Sequence, residues 1–204
     1  MAHDVKNVVF DLGGVLIDWN PRYLYKKVFF SPQAMEHFLT NVCNQEWNEK
    51  QDAGCSFAEG ITELVAKFPQ FKKEIEIYDT RWDEMLNGPI PPVVQMLEKI
   101  SAKKKHRLIA LTNWSKDKFH VAEKNFPFLN LFEGIVVSGK IGLKKPDPQI
   151  FQHMCKTHAM VPQHTAFIDD SLVNIEAAAQ LGFRVIHYTT PEELQTQLNQ
   201  IGII

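Results

Sequence analysis

Four short apolar runs in this chain each end at residues that carry chemistry, and stretches of helical period lie between them. Val5–Phe10 stops at Asp11-Leu12-Gly13-Gly14, and Leu108–Leu111 stops at Thr112-Asn113-Trp114-Ser115. Ile135–Val137 stops at Ser138-Gly139-Lys140, with Leu143-Lys144-Lys145-Pro146-Asp147-Pro148 shortly after, and Thr165–Ile168 stops at Asp169-Asp170-Ser171. Short β-branched runs closed by turn residues read as buried strands. Helices are expected at Val93–Ala102, Lys116–Lys124, Pro148–His158, Leu172–Leu181 and Pro191–Asn199, with a further strand at Arg184–His187. Strands that alternate with helices imply an α/β fold, a Rossmann-like doubly wound parallel sheet with helices on both faces.

Residues 19–87 break that alternation. Helical period dominates there, at Arg22–Phe29, Pro32–Val42, Phe57–Phe68 and Phe71–Leu86, and three of the four tryptophans (Trp19, Trp47, Trp82) fall in it. The expected organisation is a core of residues 1–17 and 88–204 with a helical cap, 18–87, inserted after the first strand. The 204 residues can bury a core of that size. A formal net charge of −2 gives no basic surface of the kind nucleic-acid binding needs. The run Lys103-Lys104-Lys105-His106-Arg107 reads as a solvated loop. No apolar run approaches the ~20 residues of a membrane span, and Met1–Asn7 lacks signal-peptide character. Cys43, Cys55 and Cys155 are odd in number and widely spaced, which suggests free thiols and a cytoplasmic location. A monomer or small homo-oligomer is expected.

In open α/β sheets, ligands bind outside the carboxyl ends of the strands. Carboxylates, a hydroxyl and an ammonium therefore meet at one edge. Plainer roles are open to each residue taken alone. Asp11 could close an Asx-turn, Thr112 could reflect β propensity, and Lys144 and Lys145 could be surface charge. Asp147, before Pro148, reads as a helix N-cap, and Ser115 and Ser171 read as caps too. His153, Cys155 and His158 share a predicted helix, but their spacing does not build a tetrahedral metal site.

The order of the four strand ends resembles the four-motif pattern of the haloacid dehalogenase-like hydrolase superfamily, in its helical-cap branch, along nearly the whole chain. The resemblance implies that Asp11 is a nucleophile, forming an aspartyl phosphate in phosphatase members. It implies Mg²⁺ held by Asp11, the Gly13 backbone carbonyl and the Asp169-Asp170 pair, with Asp170 direct and Asp169 supporting. Lys145 would oppose the negative charge of Asp11 and the phosphoryl group, and Thr112 and Asn113 would donate hydrogen bonds to phosphoryl oxygens. Asn174 stands where relatives carry another acid and would brace the site. The expected substrate is a small phosphomonoester, with sugar phosphates one class.

One position departs from the pattern. Many phosphatases of this superfamily carry Asp two residues after the nucleophile for proton transfer, and here Gly13 stands there. Loss of such a group costs about 10²–10⁴ in rate. Another group could serve, such as Asp18 or a cap residue, or a good leaving group, such as that of a sugar 1-phosphate, could need less acid help. Metal-independent 2-haloacid dehalogenases also lack that Asp, so a carbon nucleophile at Asp11 stays open, as does a non-catalytic binding relative. Asp169-Asp170 favours the phosphatase. In the cap, Asn48, Gln51 or Asp52 could meet a hydroxylated leaving group, and Asp18 and Arg22 lie where the cap begins.

Overall fold

A computed structural model describes residues 4–204, so the first three residues of the N-terminal reading lie outside it. In chain order the elements are β1 (Asn7–Phe10), β2 (Ile17–Trp19), α1 (Arg22–Tyr25), α2 (Pro32–Asn41), α3 (Gln45–Asp52), α4 (Phe57–Lys67), α5 (Lys72–Thr80), β3 (Leu86–Pro89) and α6 (Pro91–Lys103). There follow β4 (Arg107–Thr112), α7 (Phe119–Asn125), β5 (Gly134–Val137), α8 (Ser138–Ile141), α9 (Pro148–Thr157), β6 (Thr165–Asp169), α10 (Leu172–Gln180), β7 (Arg184–His187) and α11 (Pro191–Gln200).

Five strands form one parallel sheet in the order β5-β4-β1-β6-β7, so the expected doubly wound α/β architecture is present. β1 is central and buried along its length, which explains its unbroken apolar run. Its side chains alternate between two apolar layers. Val8 and Phe10 pack with α6 and α11 through Leu97, Ile100, Leu194 and Leu198. Val9 packs with α9 and α10 through Phe151, Met154, Ile175 and Ala178. Each large side chain buried in these layers contributes about 1.5–3 kcal/mol relative to exposure.

The segment between β2 and β3 is helical and has its own aromatic interior. Tyr25 and Phe38 lie 4.9 Å apart between ring centroids, as do Trp47 and Tyr78. Local chemistry starts its helices: Asn44 accepts from the Trp47 backbone N–H at 2.8 Å, and Ser56 and Glu59 form a reciprocal capping box.

Two local expectations change. The helix expected at Arg22–Phe29 ends at Tyr25. The one expected over Phe71–Leu86 stops at Thr80, a 3₁₀ turn follows at Trp82–Met85, and Leu86 opens β3, which pairs antiparallel with β2. Gly88 takes φ +114° in that ribbon, a conformation no helix accepts. Gln45–Asp52, which offers only Trp47 as an apolar signal, forms α3. The ribbon joins the chain entering the helical block to the chain leaving it, and the Ile90 N–H also donates to the Leu16 carbonyl at 2.8 Å.

Several contacts hold the helical block over the sheet edge. Lys144 Nζ meets Glu49 Oε2 at 2.5 Å, and the Phe57 N–H donates to Asp117 Oδ2 at 2.9 Å. Lys118 reaches Asp79, donating to its backbone carbonyl at 2.8 Å.

Candidate active site

Parallel register sets Phe10 beside Ala110 and Ile168, so β1, β4 and β6 deliver Asp11, Thr112 and Asp169 to one edge. The Asp11 N–H still donates to the Ile168 carbonyl at 2.9 Å, which fixes the nucleophile candidate to the neighbouring strand. Asp11 Oδ1 accepts from the Leu12 N–H at 2.7 Å and faces Lys145 Nζ at 3.0 Å. Both contacts fall on Oδ1, so Oδ2 is the oxygen without a hydrogen-bond donor among the described residues.

Lys145 comes from the loop before α9 and is buried. Its backbone is clamped by the Asn113 side chain: Nδ2 donates to the Lys145 carbonyl at 2.9 Å and Oδ1 accepts from its N–H at 2.8 Å. Its Nζ donates to Asp169 Oδ2 at 2.6 Å. Burial works against a charged ammonium here, but the Asp11 and Asp169 carboxylates outweigh it and raise the Lys145 pKa.

The two adjacent acids divide as an extended chain requires. Asp169 points inward and is saturated by the protein. Its Oδ1 accepts from the Ser171 N–H at 2.8 Å and from Asn174 Nδ2 at 3.0 Å, while Oδ2 holds Lys145. Asp170 points outward across Gly14. That glycine has φ +76°, and a Cβ there would come within 2.3 Å of Asp170 Oδ2, so the close approach and the turn both need it.

Asp11, Asp169 and Asp170 each offer an oxygen within 4.8 Å of the others, and Lys145 sets its ammonium against Asp11 and Asp169. Burial, then the neighbouring acids, push the Asp11 pKa up to about 7 despite Lys145, and burial and Asp169 raise Asp170. Hard oxygen donors carrying excess negative charge fit a divalent cation such as Mg²⁺. Beside them the Thr112 hydroxyl is fully buried and has no hydrogen-bond partner among the described residues. A buried unpaired hydroxyl is costly, and a bound anion's oxygen would satisfy it.

From Gly13 and Asn113 a cleft of about 70 Å³ runs to the helical block. Trp19, Phe57, Trp82 and Trp114 form its walls, and Asn48, Asp52 and Ser115 its polar points. Asn48 and Asp52 are i and i+4 on α3 and share the face toward the cleft. Burial, then Glu49, raise the Asp52 pKa to about 7 against the pull of Lys144, Lys145 and the Ser115 N–H.

Other sequence candidates lie elsewhere. Gln51 is buried inside the helical block, donating to the Trp47 carbonyl at 2.6 Å. Asp18 accepts from Tyr23 at 2.8 Å and from Asn87 at 2.9 Å, bracing the ribbon, and Arg22 forms an exposed bidentate pair with Glu36. Asp147 caps α9 by accepting from the Gln149 N–H at 2.8 Å. Ser171 makes no side-chain cap bond, and Ser115, four residues before α7, accepts from the Asp117 N–H at 3.1 Å instead of capping. Sequence reasoning missed Ser138, whose Oγ accepts from the Trp114 N–H at 2.9 Å and fixes the loop after β4. It also missed the aromatic lining, although three tryptophans in one helical block and Trp114 beside Asn113 were a usable signal.

The profile of one family, described as haloacid dehalogenase-like hydrolase, matches residues 5–182. A sesquiterpene phosphatase of Aspergillus oryzae is 26% identical over 208 residues, covering 98% of each chain. A D-ribitol-5-phosphate phosphatase of Bacteroides thetaiotaomicron is 22% identical over 211 residues, covering 97% of this chain and 98% of its own. A drimenol cyclase of Aspergillus calidoustus is 25% identical, and there this chain spans only 36% of the relative's length. Among solved structures, a Bacteroides thetaiotaomicron enzyme in complex with magnesium and inorganic phosphate superposes with TM-score 0.68 at 25% identity, covering 91% of this chain and 94% of that one.

Proposed function

The chain belongs to the haloacid dehalogenase-like hydrolase family, and we propose that it is a Mg²⁺-dependent phosphatase of small phosphomonoesters acting through an aspartyl phosphate on Asp11. On this reading residues 18–87 are a cap domain over a core formed by 1–17 and 88–204. The observation that carries the proposal is the cluster itself: three carboxylates within ligand reach of one another and Lys145 as the ammonium against Asp11 and Asp169.

The residues divide the work. Asp11 Oδ2 attacks phosphorus while Oδ1 stays anchored to Leu12 and Lys145. Lys145 stays charged between its two carboxylates and lessens repulsion between Asp11 and the incoming anion. Thr112 donates its hydroxyl to a phosphoryl oxygen. Asn113 holds the Lys145 backbone by its side chain and offers its own N–H to the phosphoryl group. Asp169, braced by Asn174, positions Lys145. Asp11, Asp170 and the Gly13 carbonyl would hold Mg²⁺, which when bound supplies positive charge to the phosphoryl oxygens. The aromatic cleft receives the leaving group, and the sesquiterpene phosphatase and D-ribitol-5-phosphate phosphatase among the relatives make apolar and polyhydroxylated alcohols the two classes to try.

A dehalogenase would leave Asp170 without a task. Turnover of p-nitrophenyl phosphate tests the reading: it is expected with Mg²⁺, and is expected to vanish with a chelator and in Asp11→Asn. Halide release from 2-chloropropionate without metal would favour the dehalogenase instead.

A further inference from the structure

The geometry points to Asp52, on the cap helix α3, as the residue that gives the leaving oxygen its proton and later takes a proton from the attacking water. The inference rests on the phosphatase reading above.

Gly13 cannot transfer a proton, and its backbone does not demand glycine: its φ is not in the left-handed region. A Cβ built there meets no atom within 4 Å, so the space above it opens into the cleft. Across that space, Asp52 alone among the cleft-lining residues carries a titratable side chain. Its position is determined from the cap. Tyr78 donates to Asn48 Oδ1 at 2.9 Å, and Asn48 Nδ2 donates to Asp52 Oδ2 at 3.3 Å.

The charges around Asp52 suit a group that cycles between protonated and ionised forms near neutral pH. Burial, then Glu49 on the same helix, favour the protonated form; the Tyr78 hydroxyl lies nearby on α5. Lys144 and Lys145 from the core, with the Ser115 N–H, favour the carboxylate. The result is a pKa of about 7, where an acid–base catalyst is most effective.

The steps balance. Asp11 Oδ2 forms a bond to phosphorus as the ester P–O bond breaks. The bonding pair goes to the leaving oxygen, which takes the Asp52 proton and departs as an alcohol. Water then attacks phosphorus and gives its proton to the Asp52 carboxylate. The P–Oδ2 bond breaks, the pair returns to Asp11, and phosphate leaves with Asp52 protonated again.

The test compares Asp52→Asn with wild type on two esters, reading alcohol release in a single turnover and phosphoenzyme by acid quench. A nitrophenolate leaving group needs no proton, whereas the alcohol of 2-phenylethyl phosphate does. The variant is expected to lose about 10²–10⁴ in rate with 2-phenylethyl phosphate. With p-nitrophenyl phosphate it should keep nitrophenolate release within about tenfold while phosphoenzyme accumulates. Equal losses on both esters, or no loss on either, overturn the proposal. If the variant does not fold, wild type decides: 2-phenylethanol release should fall as pH rises through about 7 while nitrophenolate release does not. Matching profiles overturn it, as does wild type that hydrolyses the aryl ester alone. Wild type that hydrolyses neither ester sinks the phosphatase reading itself.

Discussion

The two walls of the site are built on opposite physical terms. The core wall is ionic and tightly determined: Lys145 holds Asp11 and Asp169, Asp169 holds Asn174, and Asn113 clamps the Lys145 backbone. The cap wall is aromatic, and Asp52 is the ionisable group it presents. Strand ends in parallel register position charges firmly because each backbone is bonded to its neighbours. A helix resting on a sheet edge is held mostly by side chains, such as the Glu49–Lys144 pair, and can change its surface without disturbing the sheet. In our reading the core wall is the general phosphoryl machinery and the cap wall fits it to a leaving group.

The largest expected effect lies in the core wall. Asp11→Asn should lower p-nitrophenyl phosphate turnover by about 10⁴ or more. It should leave the circular dichroism spectrum intact and, in chelated protein near pH 7, should not lower the thermal midpoint, because it removes a crowded buried charge. Lys145→Met should destabilise the protein by about 3–5 kcal/mol in denaturant unfolding, since it leaves two buried carboxylates facing each other. Thr112→Val separates function from folding. Its hydroxyl has no partner to lose among the described residues and is costly to bury unpaired, so stability should hold or rise, by up to about 1–3 kcal/mol, while turnover should fall about 10²–10³ if the hydroxyl binds the transition state.

Smaller effects probe the balance between the walls. The raised pKa values of Asp11 and Asp52, both about 7, and of Asp170 mean that the folded state keeps protons the unfolded chain has released. Chelated protein should therefore lose thermal stability as pH rises from about 4 through 7. Mg²⁺ should restore it most at the alkaline end, and Asp11→Asn should flatten the slope. A thermal midpoint of wild type that rises relative to that of Asp11→Asn across this window contradicts the charge arrangement. The smallest expected gain is about tenfold: Gly13→Asp, in the open space above residue 13, should recover part of the 2-phenylethyl phosphate activity lost in Asp52→Asn. No recovery would argue that the core wall cannot take over the cap's proton transfer.

The contrast also explains what was legible in the sequence. Asp11, Thr112 and Asp169-Asp170 stand out because a buried strand ends in a local signal, and a parallel sheet turns chain order into proximity, whereas Lys145, in the loop before α9, stands out only through the family pattern. The cap lacks such signals. Gln45–Asp52 is too polar to show an apolar stripe. The short β2–β3 ribbon, with Gly88 and Pro89, reads as neither strand nor helix. Sequence placed Asn48, Gln51 and Asp52 together as candidates. On α3, however, Trp47 and Gln51 form the stripe facing the cap interior, and Asn48 and Asp52 form the next one, facing the cleft. Only tertiary packing decides which stripe turns inward.

The central claim is that Asp11 carries the phosphoryl group during cation-dependent turnover. Acid quench of the protein during steady p-nitrophenyl phosphate hydrolysis, followed by peptide mass spectrometry, addresses it directly. One phosphoryl group is expected on the peptide holding Asp11 when Mg²⁺ is present, and none with chelator or in Asp11→Asn. Undiminished turnover after exhaustive chelation, or turnover with the phosphoryl group on a different residue, would contradict the account.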